Sequence, residues 1–205
     1  MRSRFTLLFS VIIILLYTSC SKDENRLDNF FVEFATVIKL ESHITFQLDN
    51  GAVLTPENTP NLELENENRV ILNFTPLENN VIKINSIRPV FSDTIKEEGY
   101  PDKLETSPVK LISTWASGNY LNMSFYVDYH SKKHFTALYR DTLATQPTLH
   151  FSYSRGEDPP GAPTLTYVSF NLENSQETEF TLYVHTYDSL RRVSVERTNF
   201  IPLKR

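Results

Sequence analysis

The only cysteine of this 205-residue chain, Cys20, sits in a setting that narrowly defines its chemistry. Arg2 and Arg4 give a positive start, Phe5 to Tyr17 is apolar, and the small residues Thr18 and Ser19 lead up to the thiol. A helix that crosses a bilayer needs about twenty residues, so this block is too short to span. It has the make-up of a signal peptide that is cleaved just before a lipid-accepting cysteine. Residues 1–19 are therefore read as a lipoprotein signal peptide, with Cys20 as the attachment point: its sulfur takes diacylglycerol and its freed amine a third acyl chain. Each buried methylene contributes about 0.8 kcal/mol, so two or three chains anchor stably. Tyr17 departs from the leucine usual three residues before such a cysteine. With Cys20 lipidated, no thiol remains for a disulfide, a zinc–cysteine site or a cysteine nucleophile.

Other reactive side chains are sparse. His130 and His134 flank a tight turn, with Asp128 as the nearest third ligand, but a tight metal site needs three or four. The pattern reads as a hairpin whose polar ends meet solvent, and no metal is assigned. His43 and His185 fall on polar strand faces and are expected to be exposed. There is no Gly-x-Ser-x-Gly elbow and no His-Glu-x-x-His. Glu63, Glu65 and Glu67 alternate within a loop rich in Asn and Glu and read as solvated. No catalytic residue and no cofactor is assigned; a hydrolase with dispersed carboxylates would need two acids about 5–10 Å apart. Tyr120 and Tyr126 lie opposite Leu121, Met123, Phe125 and Val127 on one strand. They are candidate ligand-contact aromatics, suited to stacking on a sugar or anchoring a protein, unless a loop or the first domain covers that face. Trp115 is assigned to the core.

The elements that position these residues are strands. Phe31 to Ile38 is β-rich, Ser42 to Leu48 alternates cleanly, and Asp49-Asn50-Gly51 is a hairpin turn. Ala52-Val53-Leu54 returns, Thr55 to Asn68 is a loop, and Arg69 to Phe74 and Val81 to Ile87 complete five strands, which predicts a small OB-like barrel over 31–90. Residues 20–30 form a polar tether, and 91–108 read as a connection. Seven further strands, starting near 109, 119, 134, 148, 165, 180 and 192, predict a β-sandwich over 109–203. The fold class is all-β. Fourteen Phe and ten Tyr supply the core area, five Gly leave no Gly-rich phosphate loop, and a net charge of −5 disfavours nucleic acid as a partner.

Three resemblances add to this. Ser21-Lys22-Asp23-Glu24 resembles the lipoprotein export signal of Bacteroidota, which implies an outer-membrane protein anchored through Cys20 and facing the cell exterior. Alternatively, those residues are a solvated tether on a periplasm-facing anchor. Asp93-Thr94-Ile95, Asp141-Thr142-Leu143 and Asp188-Ser189-Leu190 resemble the O-glycosylation sequon of the same bacteria, which implies glycans on Thr94, Thr142 or Ser189. About 0.6 matches would arise by chance from this composition; Thr142, in an exposed loop, is the strongest of the three, and ordinary turn chemistry is the alternative.

The stretch Trp115-Ala116-Ser117-Gly118-Asn119-Tyr120-Leu121-Asn122, with Lys133-His134-Phe135, Leu48-Asp49-Asn50-Gly51 and Asn68-Arg69-Val70, resembles the NigD-like lipoproteins of Bacteroidota. The resemblance implies an OB fold followed by a sandwich, and no established enzymatic activity. That family was named from a bacteriocin operon, from which an immunity role was proposed. The chain departs from the family where His150 is followed by Phe151 instead of Asn. The expectation is a non-enzymatic surface lipoprotein that binds a protein or a glycan; a bacteriocin-immunity-type protector is the alternative, and a hydrolase the third reading.

Overall fold

The computed structural model describes residues 29–41, 43–173, 179–188 and 193–200. The signal peptide, Cys20, Ser21, Lys22, Asp23, Glu24 and Ser189 lie outside the described residues. The elements are all strands: β1 (Phe31–Leu40), β2 (His43–Leu48), β3 (Val53–Pro56), β4 (Arg69–Pro76), β5 (Val81–Lys96), β6 (Lys110–Ser117), β7 (Tyr120–Tyr129), β8 (Phe135–Arg140), β9 (Thr148–Ser154), β10 (Ala162–Asn171), β11 (Phe180–Tyr187) and β12 (Val193–Phe200).

The first five close into a barrel. β1 pairs antiparallel with β2 and β4, β2 pairs with β3, β3 runs parallel to the first half of β5, and β5 returns antiparallel to β4. That circuit leaves none of the five with a free edge, which is how an OB barrel removes a site for edge-to-edge aggregation. Alternation puts Ala35, Val37, Phe46, Val70, Leu72 and Phe74 inside. Leu64 joins them from the long loop between β3 and β4 and is almost fully buried, while its neighbours Glu63 and Glu65 face out.

The rest is a sandwich of two sheets. One has the order β6-β7-β10-β5, the other β5-β8-β9-β11-β12. Between them pack Leu121, Met123, Phe125, Val127, Leu138, Phe151, Phe170 and Leu182, with Phe125 edge-on to Phe151 at 5.2 Å.

β5 corrects one expectation. Residues 91–96, read as the start of a connection, continue the strand: Phe91 to Thr94 pair with β10 and Ile95 and Lys96 with β8. The stretch lacks an apolar stripe because Ser92, Asp93 and Thr94 face a cleft beside the barrel, not a core. One strand therefore belongs to the barrel and to both sheets. Only residues beyond Lys96 form the loop, which is tied to the sandwich by backbone hydrogen bonds: the Ser107 amide donates to the Tyr153 carbonyl, and the Tyr153 amide to the Glu105 carbonyl.

Trp115 is a second correction. It is partly buried and lies edge-on to Phe34 of β1 at 5.4 Å, so it packs between sandwich and barrel and not in the sandwich core. Tyr167 meets the same ring at 6.0 Å. β6 is an edge strand of its sheet, and Trp115 meets the barrel near its C-terminal end.

The end of β7 is held by Gly161, where an added Cβ would collide with the carbonyl of Tyr129. Gly161→Ala is expected to force that backbone apart and destabilise the fold by about 1–3 kcal/mol, read as a lowered midpoint in urea with an unchanged slope.

Candidate binding site

Where barrel meets sandwich, a charge is buried. Arg69 opens β4, and its side chain is fully inaccessible. Its Nη1 donates to Asp49 Oδ1 at 2.7 Å and its Nη2 to Asp49 Oδ2 at 3.1 Å, a bidentate pair across the barrel. Nη1 also donates to Thr36 of β1 at 3.1 Å. On the sandwich side the guanidinium lies 3.8 Å from the Tyr120 ring centroid, and Nη2 donates to Asn122 Oδ1 at 3.4 Å. Asn122 in turn accepts the Ser169 hydroxyl at 2.6 Å. The turn that carries Asp49 is fixed by Gly51 at φ +88° and by Asn50, whose Oδ1 accepts the Ala52 amide. Gly118, also left-handed at φ +55°, lets the β6–β7 turn lie against the Asp49 backbone; a Cβ there would sit 3.1 Å from the Asp49 carbonyl.

Above this pair opens a cleft of about 760 Å³. Its walls are the 49–51 turn, residues 66–68 before β4, Ser92 to Thr94 of β5, the 118–120 turn and Asn171 with Glu173 at the end of β10. Carboxamides dominate. Asn50, Asn66, Asn68 and Asn171 each take a backbone amide on Oδ1, from Ala52, Lys39, Glu65 and Glu173, which fixes each group and leaves its NH₂ as a donor. Asp93 is held by Lys96 at 2.8 Å and Asp49 by Arg69. Glu67 and Glu173 are exposed at the rim, and among the described residues no Lys or Arg lines the cleft. The arrangement offers many rigid hydrogen-bonding groups and one aromatic ring, Tyr120.

Two family models match consecutive stretches of the chain and adjoin at this junction. The NigD-like N-terminal OB domain matches residues 34–90 and the NigD-like C-terminal β-sandwich domain residues 92–192. The chain belongs to the NigD-like family. No curated protein sequence matches it. Among solved structures it is similar to a candidate toxin-related protein from Parabacteroides distasonis, with 25% identity and a TM-score of 0.67 over 84% of this chain and 93% of that one. A NigD-like immunity protein from Bacteroides caccae shares the fold at 21% identity and TM-score 0.67, covering 84% of this chain and 97% of the other. A candidate lipoprotein from Bacteroides fragilis does so at 10% identity and TM-score 0.64, again over 84% and 97%.

In this NigD-like chain three of the four segments that carried the resemblance meet at one place, and the fourth, Lys133-His134-Phe135, lies at the β7–β8 turn. Leu48-Asp49-Asn50-Gly51, Asn68-Arg69-Val70 and the Trp115 to Asn122 stretch all converge on Arg69. Tyr120 is half-buried beneath the guanidinium and lines the cleft, its hydroxyl 3.4 Å from Thr36. Tyr126 stands six residues away along β7, with the Lys110 ammonium 5.8 Å from its ring, and does not line the cleft. Between them, Asn122 and Ser124 on the same face are buried. Thr94 is exposed within β5 on the cleft wall, and Thr142 is exposed in the loop after β8, where Asp141 Oδ1 accepts the amides of Leu143 and Ala144.

The histidines serve the scaffold. His134 donates from Nε2 to Asp158 at 2.9 Å and meets the Tyr153 hydroxyl through Nδ1. Asp158, in the loop before β10, also accepts the amides of His130, Ser131 and Lys132. Burial pushes its carboxyl pKa up, but these four hydrogen bonds outweigh that and hold it well below the usual range. His150 lies between the rings of Tyr100 and Tyr183, at 5.3 and 5.0 Å, with Nε2 3.3 Å from Asp141. Burial, then the hydrogen bond and charge of Asp141, push Tyr100 up to about 12. His185, expected to be exposed, is half-buried in β11, and burial followed by neighbouring His150 lowers its pKa. Among the described residues no three His, Cys, Asp or Glu side chains are placed to hold a metal ion.

Two outcomes are expected. Arg69→Met alone should destabilise by about 3–5 kcal/mol, because it strands Asp49; adding Asp49→Leu should recover much of the loss, and Arg69→Lys should not, since an ammonium cannot make the bidentate pair. Urea unfolding of the four proteins reads this. For Asp158 the folded pKa is lowered, so its contribution is present above about pH 4 and is lost as pH falls below that. Asp158→Asn should therefore lower stability at neutral pH and flatten its fall on acidification.

Proposed function

We propose that this chain is a non-enzymatic binding protein, anchored in the outer membrane through lipid on Cys20 and displayed on the cell exterior by the signal at Ser21-Lys22-Asp23-Glu24. Its partner, a protein or a glycan, enters the cleft above Arg69. The observation that carries this reading is the cleft wall itself: four carboxamides fixed by backbone amides, with no Lys or Arg among the described lining residues. Such a surface recognises hydroxyls and peptide groups through a preset array of donors and acceptors, and rigidity limits the entropy lost on binding. Two of its carboxylates, Asp49 and Asp93, are committed to Arg69 and Lys96, which argues against their use as a hydrolytic pair. Thr142 is the favoured glycosylation site, being exposed and outside every strand; a glycan on Thr94 would stand in the cleft.

The likeness to a protein named a NigD-like immunity protein supports a second reading, in which the cleft sequesters a toxin at the cell surface. The two differ in the identity of the partner and not in the site.

The test begins with protease shaving of live cells, followed by capture of partners on the intact lipoprotein. Shaving is expected to remove the protein, and Cys20→Ala to abolish its membrane retention. Asn119→Ala with Asn171→Ala, which removes two carboxamides that line the cleft, is expected to weaken capture about tenfold while the chain stays folded. Survival on shaved cells would overturn the exterior placement, and undiminished capture by the double variant would overturn the cleft.

A further inference from the structure

A second opening has none of the cleft's carboxamides among its described lining residues. β5 leaves the barrel, pairs with β10 through Phe91 to Thr94 and then crosses to β8. On the side of Phe91, before β8 begins at Phe135, the two sheets part and a slot of about 390 Å³ runs between them. That is within the range of about 300–1,000 Å³ usual for small-molecule sites. Its floor is core: Phe125 and Val168 are fully buried. Its mouth is flanked by Phe91 and Tyr129, two of the more exposed large apolar residues of the protein. The slot is thus continuous from solvent to the sandwich interior, with aromatic walls throughout.

Its charge is reversed relative to the chain. Among the described residues no carboxylate lines it, whereas Arg88 and Lys133 do, in a protein whose net charge is −5. Arg88 is set in place by donating from Nη2 to the Leu165 carbonyl at 2.8 Å, with its guanidinium 4.9 Å from the Tyr167 centroid. Neither contact neutralises it. Lys133 is exposed and has no ion-pair partner among the described residues, unlike Lys132, which meets Glu157 at 3.0 Å. The carboxylate behind the wall, Asp158, is buried and occupied by four hydrogen bonds, and both ring nitrogens of the wall residue His134 are engaged. Thr136, Thr164 and Thr166 add hydroxyls along the walls.

We propose that this slot is a binding site, separate from the cleft, for small amphipathic anions: an aromatic or short aliphatic body that enters between the sheets, and a carboxylate or sulfonate that stays at the mouth with Arg88 and Lys133. The apolar walls supply affinity by area, and the two cations select the charged end.

The probe is anilinonaphthalene sulfonate, an aromatic anion whose fluorescence rises in apolar surroundings, compared with its uncharged counterpart phenylnaphthylamine. The protein is the chain from residue 21, since Phe31–Arg205 forms a compact unit with its own cores. One saturable site per chain is expected, preferring the anion. Arg88→Gln and Lys133→Gln should each raise the dissociation constant about threefold and make it less sensitive to salt. Thr136→Trp, which fills the slot, should abolish binding, while Asn119→Ala with Asn171→Ala in the cleft leaves it unchanged. Equal binding of the uncharged probe, or unchanged affinity in Lys133→Gln, whose exposed side chain is not needed for folding, would overturn the proposal. Loss of binding in the cleft variant would assign the probe to the cleft and overturn it equally.

Discussion

A guanidinium removed from water is the constraint on which the rest of this structure depends. Stripping the solvent from an ion pair costs several kcal/mol per ion, and mutual attraction offsets this only when the geometry is good and the remaining donors are used. Arg69 meets those terms through two elements of the barrel and one of the sandwich. Asp49 takes both ends of the fork, Thr36 takes a second bond from one nitrogen, and Tyr120 covers a face of the plane. Not every group is satisfied: Arg69 Nε and Asn122 Nδ2 find no hydrogen-bond partner among the described residues. A buried ion pair of this kind is a weak source of net stability and a strong source of specificity, because shifting the barrel relative to the sandwich would leave a charge unpaired in a dry place.

The second tie is covalent continuity. β5 completes the barrel circuit and then joins both sandwich sheets without a break, so the two hydrophobic cores are linked by a single extended strand. Backbone pairing fixes the direction of that strand, and the packing of Trp115 and Tyr167 on Phe34 fixes its roll. The cleft follows from these ties. Apart from Ser92 to Thr94 of β5, its walls are turns and strand ends, which on their own would be the most mobile parts of the molecule, and each of these is pinned by a left-handed glycine, an asparagine capping a backbone amide, or Arg69. Recognition groups on loops gain precision only when the loops cannot move relative to one another, and the buried pair provides that here.

Much of this was legible in the sequence. The alternation of His43 to Leu48 and of Asn119 to Tyr129 gave strands at the right places, and Asp49-Asn50-Gly51 gave its hairpin, because pleat period and turn chemistry are local properties. The resemblance of the Asp49, Arg69 and Tyr120 segments to one family was visible too, but not that they meet. Contacts between residues 20, 53 and more positions apart are set by topology, and an arginine at a strand start looks the same whether it faces water or a carboxylate. For the same reason the sequence alone leaves open whether the face of Tyr120 and Tyr126 is covered; Asn122 and Ser124, between them, are buried. Asp158, the partner of His134, lies in a loop whose proline-rich composition reveals nothing of its fourfold bonding. β5 was cut short because its residues near the cleft are polar, and composition cannot distinguish a polar strand from a linker.

The central claim is that Arg69 couples barrel and sandwich energetically, and that this is more than contact. A double-mutant cycle between Arg69→Met and Tyr120→Leu, read by urea unfolding, measures that coupling directly, since the two residues belong to different domains and meet only through the guanidinium stack. The account predicts a non-additive term of about 1–2 kcal/mol, as expected of a desolvated cation over an aromatic ring. Additivity within about 0.5 kcal/mol would contradict it, and would mean that Arg69 and Tyr120 are in contact without coupling the two domains.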